Sequence, residues 1–578
     1  MSVKNSEIAE MLENLADMLD IQGENRFRVR AYRNAARTIR GLGESAADIV
    51  ERGEDLSGYR GIGSAIAEKV AEIVHTGRLG KLEEVQRELP EGLLELLRIP
   101  ELGPRRVKEL YERLDVRGID DLQAALEAGK IHELPGFGEK LESSLRSQLG
   151  EVKKQRGERR LLLPRAEEIA WDIVSYLRSH AAVHRITPAG SYRRRKETVG
   201  DLDVLAVPAR SAEAAEIMEL FTQHEDVERV NMKGETRSQV VLRSGVQVDL
   251  RLLEAKSYGA ALQYFTGSKE HNVALRRIAG EQGLKLSEYG LFRGEERVAG
   301  AEEEEVYTGL GLSPIPPELR ENRGEIEAAR AGTLPRLVSL DDIRGDLHAH
   351  TDASDGTANL AEMAEAAEQR GYEYLAVTDH TKSLAVARGL DKDRLARQID
   401  EVAAFNEQHD AVRLLASAEV DILDDGRLDL PDDILARLDL VVCSVHSGLN
   451  RPGDEQTERI IRAMDNPYCN IIAHPTGRIL GSRPPYAVDV RRLLEAAAER
   501  GCFLEINAQP ERLDLRDEDA RAARELGVKL SIGSDAHAPA NLGYMRYGVD
   551  QARRGGLEAG DVLNTRPWSE LSRLLRRR

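Results

Sequence analysis

Three aspartates lie in two short segments whose residue pattern is typical of β-strands. Asp201 and Asp203 stand two positions apart in Asp-Leu-Asp-Val-Leu, and side chains two apart in a strand point to the same face. Asp249 lies in Val-Gln-Val-Asp-Leu-Arg, where Val248 and Leu250 form an apolar face and Asp249 belongs to the other. Two adjacent strands would therefore bring three carboxylates together.

Such a carboxylate cluster requires cations. Two like charges about 4 Å apart repel by roughly 4 kcal/mol at an effective dielectric constant of about 20. Two divalent ions roughly 3.5–4 Å apart remove this repulsion and support in-line phosphoryl transfer, in which one activates a 3′ hydroxyl and the other steadies a triphosphate leaving group. Gly190 and Ser191 open a turn before the basic run Arg193 to Lys196, with a second glycine at Gly200. This turn is interpreted as a triphosphate cradle.

A second set of metal-ligand residues follows residue 345. Most of its members stand where a predicted strand ends, and a βα barrel gathers such residues at one face. Nitrogen and oxygen ligands without thiolate suit Mn²⁺, Zn²⁺ or Fe. Nine ligands exceed the need of one ion, so two or three ions are expected. The nine residues are His348, His350, Asp355, His380, Glu419, His446, His474, Asp535 and His537.

Three residue patterns along the chain predict the elements that position these residues. Residues 1 to about 155 are typical of short amphipathic helices separated by Gly and Pro turns. From Leu161 onward, mixed helix and strand patterns predict an α+β domain. After Asp341, short apolar strands alternate with helices, which predicts parallel βα units closed into a barrel or nearly so. The acidic run Glu302 to Glu305 is interpreted as a solvated loop, and the prolines between residues 313 and 338 indicate a linker.

Glycine pairs in the N-terminal region predict helix-hairpin-helix motifs. Two glycines let the backbone turn at a helix start and leave N–H groups facing outward, so the turn binds a phosphate without a basic side chain. The third copy has Glu101 where its first glycine belongs, which weakens the expectation of phosphate binding there. For any one copy, an ordinary glycine-capped helix pair is the alternative. The glycines are Gly61, Gly63, Gly103, Gly136 and Gly138.

Composition limits the class of protein. The 578 residues are 41% hydrophobic, which is enough for folded cores, and no apolar stretch approaches the length of a membrane span. Three cysteines without a CxxC pair, together with an N-terminus that lacks a signal pattern, predict a cytosolic protein with reduced thiols. The net charge of −19 excludes a general positive field. Any contact with DNA must therefore use local patches, helix N-termini or bound cations.

The segment GSYRRRKETVGDLDVL, with VDLRL and Tyr-Phe-Thr-Gly-Ser at residues 264–268, resembles the palm and nucleotide-binding motifs of the family X DNA polymerases, the DNA polymerase beta family. The resemblance covers residues 1–318. It implies that Asp201, Asp203 and Asp249 bind catalytic Mg²⁺ or Mn²⁺, with Asp249 as acceptor of the primer hydroxyl proton. At the position of Gln247 the beta enzyme carries an arginine. This difference bears on how strongly the primer hydroxyl is activated and not on the predicted reaction class. The implied nucleotide contacts are Gly190, Ser191, Arg194, Gly200, Tyr264, Phe265, Gly267, Asn272 and Arg276.

The same resemblance reaches the N-terminal domain. Lys69 matches the Schiff-base lysine with which the family removes a 5′ deoxyribose-phosphate, and Tyr32 also matches. Ala65 and Phe27 instead stand where the beta enzyme has a phosphate-binding lysine and a histidine. Schiff-base chemistry needs a lysine of depressed pKa. Two interpretations therefore stay open, a lyase and a surface lysine on the hairpin helix.

Residues 341–578 closely resemble the polymerase-and-histidinol-phosphatase (PHP) domain, with all nine ligand positions filled. The resemblance implies a distorted (βα)7 barrel similar to a TIM barrel and metal-assisted phosphoester hydrolysis. In bacterial family X polymerases the fusion implies Mn²⁺-dependent 3′–5′ exonuclease activity, with possible 3′-phosphatase and abasic-site endonuclease activities.

Together the two resemblances imply a bacterial polymerase that fills short gaps in base-excision repair. Its expected partners are gapped or primer–template DNA and dNTPs, with monovalent cations at the hairpins, and it is expected to be a monomer. One alternative is a nucleotidyltransferase fused to a small-molecule phosphatase, for which the hairpins have no use. Another is a DNA-binding repair scaffold with little catalysis, against which the complete aspartate triad argues. The predicted segments are a helix-hairpin-helix domain over residues 1–90, a helical DNA-binding subdomain over 91–158, the palm over 159–255, a nucleotide and nascent-pair subdomain over 256–318, a linker over 319–340, and the PHP domain over 341–578.

Overall fold

The structure is a computed structural model of the chain. It describes residues 3–575 except residues 4, 41, 43–44, 60, 91, 98, 100–101, 133, 135, 139–140, 143–144, 147–159 and 211–212, and of residue 6 it describes the backbone alone. The predicted boundary at residue 158 and the predicted effect of Glu101 on the third hairpin lie outside the described residues.

The N-terminal region is helical, and two apolar cores organise it. In α1, Ile8, Leu12, Leu15 and Leu19 recur every three or four residues and are buried in the first core, to which α2–α5 contribute. Helices α6–α8 surround a second core that includes Leu96. The helices are α1 Asn5–Gln22, α2 Arg26–Arg40, α3 Ala46–Glu51, α4 Ser64–Thr76, α5 Gly80–Glu88, α6 Gly92–Leu97, α7 Pro104–Leu114 and α8 Ile119–Glu127, with a 3-10 turn at Leu56–Gly58.

The palm is a five-stranded sheet in the order β2-β4-β7-β6-β5. Strands β4 and β7 run parallel and the other pairs run antiparallel. Apolar side chains of α9 and α11 pack with alternate strand residues in one core. The elements are β1 Leu161–Leu162, α9 Leu163–His180, β2 Val183–Pro188, α10 Gly190–Arg193, β3 Thr198–Val199, β4 Asp201–Pro208, α11 Ala214–Thr222, β5 Val227–Lys233, β6 Arg237–Leu242 and β7 Gln247–Leu252.

The next subdomain surrounds its own apolar core and corrects two expectations. The acidic run is not a solvated loop, because it starts α14 and Glu303 binds the guanidinium groups of Arg193 and Arg320. The first part of the expected linker over residues 319–340 also belongs to the folded subdomain, because Ile326 of α15 is buried in this core. The elements are a 3-10 turn Ala255–Ser257, α12 Tyr258–Thr266, α13 Lys269–Glu281, β8 Lys285–Ser287, β9 Gly290–Arg293, β10 Glu296–Ala299, α14 Glu303–Gly309, a 3-10 turn Pro317–Leu319 and α15 Glu325–Ala331.

Seven parallel strands in sequence order β11 to β17 form a nearly closed barrel, as predicted. A parallel bridge between Ala349 and Ala536 brings its first and last strands together. The strands are β11 Gly345–Ala349, β12 Tyr374–Val377, β13 Arg413–Asp421, β14 Leu440–Ser444, β15 Ile471–Ile472, β16 Phe503–Asn507 and β17 Leu530–Gly533. The helices are α16 Leu360–Glu368, α17 Lys392–Gln408, α18 Asp432–Leu435, α19 Gly453–Met464, α20 Val490–Arg500, α21 Asp517–Glu525, α22 Met545–Arg554 and α23 Trp568–Leu575.

Buried charges join the palm to the barrel. Arg554 of α22 donates to the carbonyl of Arg194 at 2.6 Å and to Asp517 at 2.6 Å. Arg478 donates to Glu197 at 2.7 Å. The loop that follows the Gly190 turn is therefore held by side chains of the barrel. Among the described helices, none has the length and apolarity needed to cross a bilayer.

Candidate active sites

The palm aspartates meet because of strand register. Asp203 of β4 pairs directly with Asp249 of β7, and Asp201 pairs with Gln247. Asp249 is buried and Asp201 is exposed, so the cluster lies at the edge of the sheet. Burial, and next the charges of Asp201 and Asp249, raise the pKa of Asp203 to about 7. A divalent cation would offset the repulsion between this buried carboxylate and its two neighbours. The three residues therefore fit the predicted two-metal site.

Four hydrogen bonds hold Asp249. Arg237 of β6 donates from Nε at 2.9 Å and from Nη2 at 2.6 Å to Oδ1. Gln239 and Gln247 donate to Oδ2 at 2.9 Å and 3.1 Å. The sequence analysis identified Gln247 as the position where the beta enzyme has an arginine, and it missed Arg237. In this fold the guanidinium beside the third aspartate comes from the neighbouring strand.

The Gly190 turn lies against the same carboxylates. Gly190 has φ of +64°, and a Cβ there would lie 3.1 Å from Oδ2 of Asp203. The amide of Ala189 donates to the carbonyl of Asp203 at 2.7 Å. Only a glycine at position 190 permits both this backbone angle and this approach. Ser191 follows in α10 and is half-buried.

The basic run after this turn is neutralised by carboxylates in the structure. Arg193 contacts Glu303 at 2.8 Å and Arg194 contacts Glu321 at 3.1 Å. Lys196 lies 3.8 Å from Glu321. The sequence analysis assigned Arg194 of this run to a triphosphate and missed both glutamates, which lie more than 100 residues away in the chain.

The predicted nucleotide contacts of α12 and α13 lie together. Asn272 donates to the carbonyl of Tyr264 at 2.7 Å. The Phe265 ring lies under the guanidinium of Arg251 on β7, 4.4 Å from its central carbon. Gly267 faces Arg194, since its Cβ position is 3.1 Å from Nη1. Arg276 follows Asn272 by one helical turn and donates to its carbonyl at 3.4 Å, whereas Gly200 instead faces Arg160.

The five hairpin glycines are exposed, and four of them are uncrowded. Gly63 and Gly103 cap α4 and α7 without a side-chain hydrogen bond, so the first N–H groups of both helices face outward. A Cβ at Gly63, Gly103, Gly136 or Gly138 would meet nothing within 4 Å. Packing within the protein therefore does not require glycine at these four positions, and only Gly136, with φ of +84°, needs glycine for its backbone angle. Gly61 has φ of +90° and lies against Thr38 of α2.

The two residues of the predicted lyase differ in exposure. Tyr32 is buried in the N-terminal core. Lys69 is half-buried on α4 and donates to the carbonyl of Ala65 in its own helix at 3.3 Å. This geometry matches the interpretation of Lys69 as a surface lysine, and the lyase stays a prediction.

In the barrel all nine predicted ligands lie in one cluster. Three groups each place one nitrogen or oxygen atom per residue within 4.8 Å of the others: His350, Asp355, His380 and His537; His348, His350 and Asp535; and His380, Glu419 and His446. His474 joins them through Glu419, whose Oε1 lies 3.0 Å from its Nε2.

Glu419 stands between the metal-ligand groups of the barrel. Its Oε2 lies 2.7 Å from Nδ1 of His380 and its Oε1 lies 3.4 Å from Nε2 of His446. Both ring nitrogens of His350 are buried without a well-directed hydrogen bond. Burial alone would raise the pKa of Glu419, but His380, His446 and His348 hold that pKa well below its usual range. Buried imidazole nitrogens that lack a hydrogen-bond partner and lie around a carboxylate fit a site for several metal ions.

Two further carboxylates orient the barrel histidines. Glu505 of β16 accepts from Nδ1 of His348 at 2.7 Å, and Asp421 of β13 lies 3.1 Å from Nδ1 of His446. A Cβ at Gly533 would lie 2.2 Å from Oε1 of Glu505, so this glycine makes room for the contact. The sequence analysis missed these carboxylates, although a glutamate within the apolar segment Phe-Leu-Glu-Ile was the available signal.

Comparisons with known proteins agree with this architecture. Residues 3–79 match a helix-hairpin-helix domain, residues 93–151 a SAM-like helix-hairpin-helix tandem, residues 261–321 the DNA polymerase beta thumb and residues 346–509 the PHP domain. The DNA polymerase/3′-5′ exonuclease PolX of Bacillus subtilis (strain 168) is 38% identical over 575 residues, which is 99% of either chain. A protein named probable phosphatase of Thermoanaerobacter sp. (strain X514) is 32% identical over 231 residues, 38% of this chain and 89% of its own.

The fold and its two carboxylate-rich centres define the class, a polymerase-beta-like palm joined to a PHP barrel. The chain belongs to the family X DNA polymerases that carry a C-terminal PHP domain. The resemblance stated from the sequence motifs is thereby confirmed.

Proposed function

We propose that the palm is the centre of a DNA-directed DNA polymerase that fills short gaps during base-excision repair. The observation that carries this proposal is the register of Asp203 on Asp249, with Asp201 on the same strand and the Gly190 turn against Asp203. The B. subtilis relative is named a DNA polymerase, which supports the reaction class. We assign residues 1–90 and 91–158 to DNA binding, 159–255 to the palm and 256–318 to the nucleotide.

The residues divide the polymerase chemistry between them. Asp201, Asp203 and Asp249 would hold two Mg²⁺ or Mn²⁺ ions, which supply charge stabilisation at the transferred phosphoryl group when bound. Asp249, which Arg237 holds in place by hydrogen bonds, accepts the proton of the primer 3′ hydroxyl. The Gly190 turn contacts the triphosphate, and Tyr264, Phe265, Asn272 and Arg276 lie against the incoming nucleotide and the nascent pair. The partners are gapped or primer–template DNA and dNTPs, and we expect a monomer in the bacterial cytosol.

Extension of a labelled primer into a one-nucleotide gap tests the polymerase proposal. We expect Asp249→Asn to lose nucleotide addition by at least a hundredfold, because it removes the proton acceptor and one metal-binding charge. Asp226→Asn, a palm carboxylate outside the cluster, is the control and should extend as wild type. Undiminished extension by Asp249→Asn would refute the assignment.

We propose that the barrel is a 3′–5′ exonuclease that trims DNA 3′ ends. Nine ligands in one cluster, oriented by Glu505 and Asp421, support a centre of two or three Mn²⁺, Zn²⁺ or Fe ions, which would supply an activated water when bound. His348 and His350 would hold an ion together with Asp535, and Glu419 would hold one together with His380 and His446. The B. subtilis relative is named a 3′-5′ exonuclease.

A phosphatase is the second candidate for the barrel, because relatives that match 38% of the chain are named probable phosphatases. Two substrates separate the candidates, one DNA strand with a 3′ hydroxyl and one with a 3′ phosphate. Release of mononucleotides from the first in Mn²⁺ supports the exonuclease, whereas release of phosphate from the second without shortening supports the phosphatase. We expect His348→Ala to lose both reactions. The control is Asp410→Ala, which removes an exposed carboxylate.

A further inference from the structure

The barrel centre opens along one edge. The side chains of Asp355, His537 and His446 are 22%, 16% and 15% exposed. His348, His350 and Glu419 are 1% exposed or less. Asp355 and His537 therefore mark one side from which a phosphodiester can approach the cluster.

Helix α2 of the N-terminal domain forms one wall of this opening. Nη1 of Arg37 lies 3.9 Å from Oδ2 of Asp355. About two helical turns upstream, Nη2 of Arg30 donates to the carbonyl of Val386 in the barrel at 2.8 Å. Phe27, which is 83% exposed, precedes Arg30 by three residues and Arg37 by ten, so the three side chains share one face of the helix. The wall thus carries two guanidinium groups and one exposed aromatic ring.

The other wall is the segment from Lys382 to Arg388, directly after the ligand His380. Lys382 and Arg388 are exposed, and Val386 between them is 66% exposed. In a chain with a net charge of −19, these two segments, which border Asp355 and follow His380, carry four exposed cations from two domains. A local concentration of positive charge of this kind attracts a phosphate backbone that the overall charge would repel.

We propose that α2 and residues 382–388 form a groove that binds the last nucleotides of a single DNA strand and leads its 3′ end into the barrel centre. Arg37 binds the phosphate nearest the centre, Arg30 binds a phosphate further from the end, and Phe27 stacks on a base. Guanidinium groups beside an exposed aromatic ring are the pattern that binds single strands without sequence preference. The proposal rests on the proposed exonuclease function of the barrel.

The length of the exposed α2 face sets the size of this groove. The two walls contact each other where Nη2 of Arg30 donates to the carbonyl of Val386. From Arg37 to Phe27 the helix rises about 15 Å. At about 3.4 Å for each stacked nucleotide, that distance corresponds to roughly four nucleotides. The efficiency of degradation should therefore rise with strand length up to about four or five nucleotides and then level off.

The test compares Mn²⁺-dependent degradation of a single strand of about 12 nucleotides with hydrolysis of the dinucleotide TpT, in the full-length protein. We expect Phe27→Ala, Arg30→Ala and Arg37→Ala each to lower the ratio of the two kcat/KM values about five- to tenfold. Most of that loss should lie in KM for the long strand. Arg491→Ala, which removes an arginine that is 72% exposed on a barrel helix, is the matched control and should keep the wild-type ratio.

Each other result has a distinct meaning. If the three variants degrade the long strand as wild type does while His348→Ala is inactive, the groove is refuted and the exonuclease assignment stands. If they slow both substrates in the same proportion, they disturb the centre alone and the groove is again refuted. If His348→Ala itself still degrades DNA, the proposed function fails and the groove proposal fails with it.

Discussion

The guanidinium of Arg237 is predicted to be needed for the rate of nucleotide addition and not for dNTP binding. Arg237 donates two hydrogen bonds to Oδ1 of Asp249, which is buried, and it touches no predicted triphosphate contact. Its replacement by methionine leaves Asp249 with the two amide donors Gln239 and Gln247. The carboxylate then loses its fixed orientation toward the primer hydroxyl.

The size of the effect follows from the exposure of the pair. A hydrogen bond to a charged group contributes about 1.5–3 kcal/mol. The Arg237 side chain is 40% exposed, so solvent screening places the loss near the lower end, about 1.5–2 kcal/mol. At about 1.4 kcal/mol for each factor of ten, kcat for gap filling should fall roughly 10- to 30-fold in Arg237→Met. KM for the dNTP should stay within a factor of two.

Single-turnover extension of a one-nucleotide gap measures this rate directly. The control Arg229→Met removes an exposed arginine from the next strand, β5, and should extend as wild type. A second substitution, Gln247→Arg, should restore most of the rate to Arg237→Met, because the residue 247 side chain already reaches Asp249 at 3.1 Å. The reasoning is refuted if Arg237→Met raises KM instead of lowering kcat, or if Gln247→Arg gives no recovery.

Three further predictions follow from the structure. Gly533→Ala places a methyl group against Glu505 and His348, so Mn²⁺-dependent 3′ degradation should fall more than tenfold while gap filling is kept. The control is Gly560→Ala, where a Cβ meets nothing within 4 Å. Equal 3′ degradation by the two variants would contradict the prediction. Burial alone would raise the pKa of Glu303, but Arg193 and Arg320 lower it from 4.5 to about 2, which corresponds to about 3 kcal/mol of stability. This stabilisation is present above about pH 4.5 and is lost as the pH falls toward 2, so Glu303→Gln should weaken hydrogen-exchange protection of α14 at pH 7 and flatten its loss in acid; an unchanged acid profile would count against it. Borohydride trapping on a 5′ deoxyribose-phosphate substrate should give an adduct that Lys69→Ala abolishes if the lyase interpretation is right, and the absence of an adduct in wild type would leave Lys69 a surface lysine.

The centres could be predicted from the sequence where their residues obey a local rule. Asp201 and Asp203 share a face because strands have a period of two residues, and Asp249 joins them once its strand is placed alongside. The barrel ligands follow the ends of apolar strands, which a βα barrel brings to one face. Fold class and ligand set therefore followed from patterns a few residues long.

The partners of these residues could not be predicted, because they depend on register and on contacts between distant segments. Arg237 reaches Asp249 diagonally only because β6 pairs with β7 in the register that sets Gln239 opposite Asp249. Glu303 looks like part of a solvated acidic run until the subdomain folds it onto Arg193 and Arg320. Ile326 sits in a proline-rich stretch whose composition indicates a linker, yet tertiary packing buries it.

The central claim is that one chain carries two separate centres, the palm for synthesis and the barrel for 3′ degradation. A single gapped duplex with a labelled primer, incubated with Mn²⁺ and then with dNTPs added, measures both reactions on one substrate. Asp249→Ala should abolish extension and keep 3′ degradation, and His348→Ala should do the reverse. Loss of both reactions in either folded variant, or 3′ degradation at the wild-type rate in His348→Ala, would contradict this account.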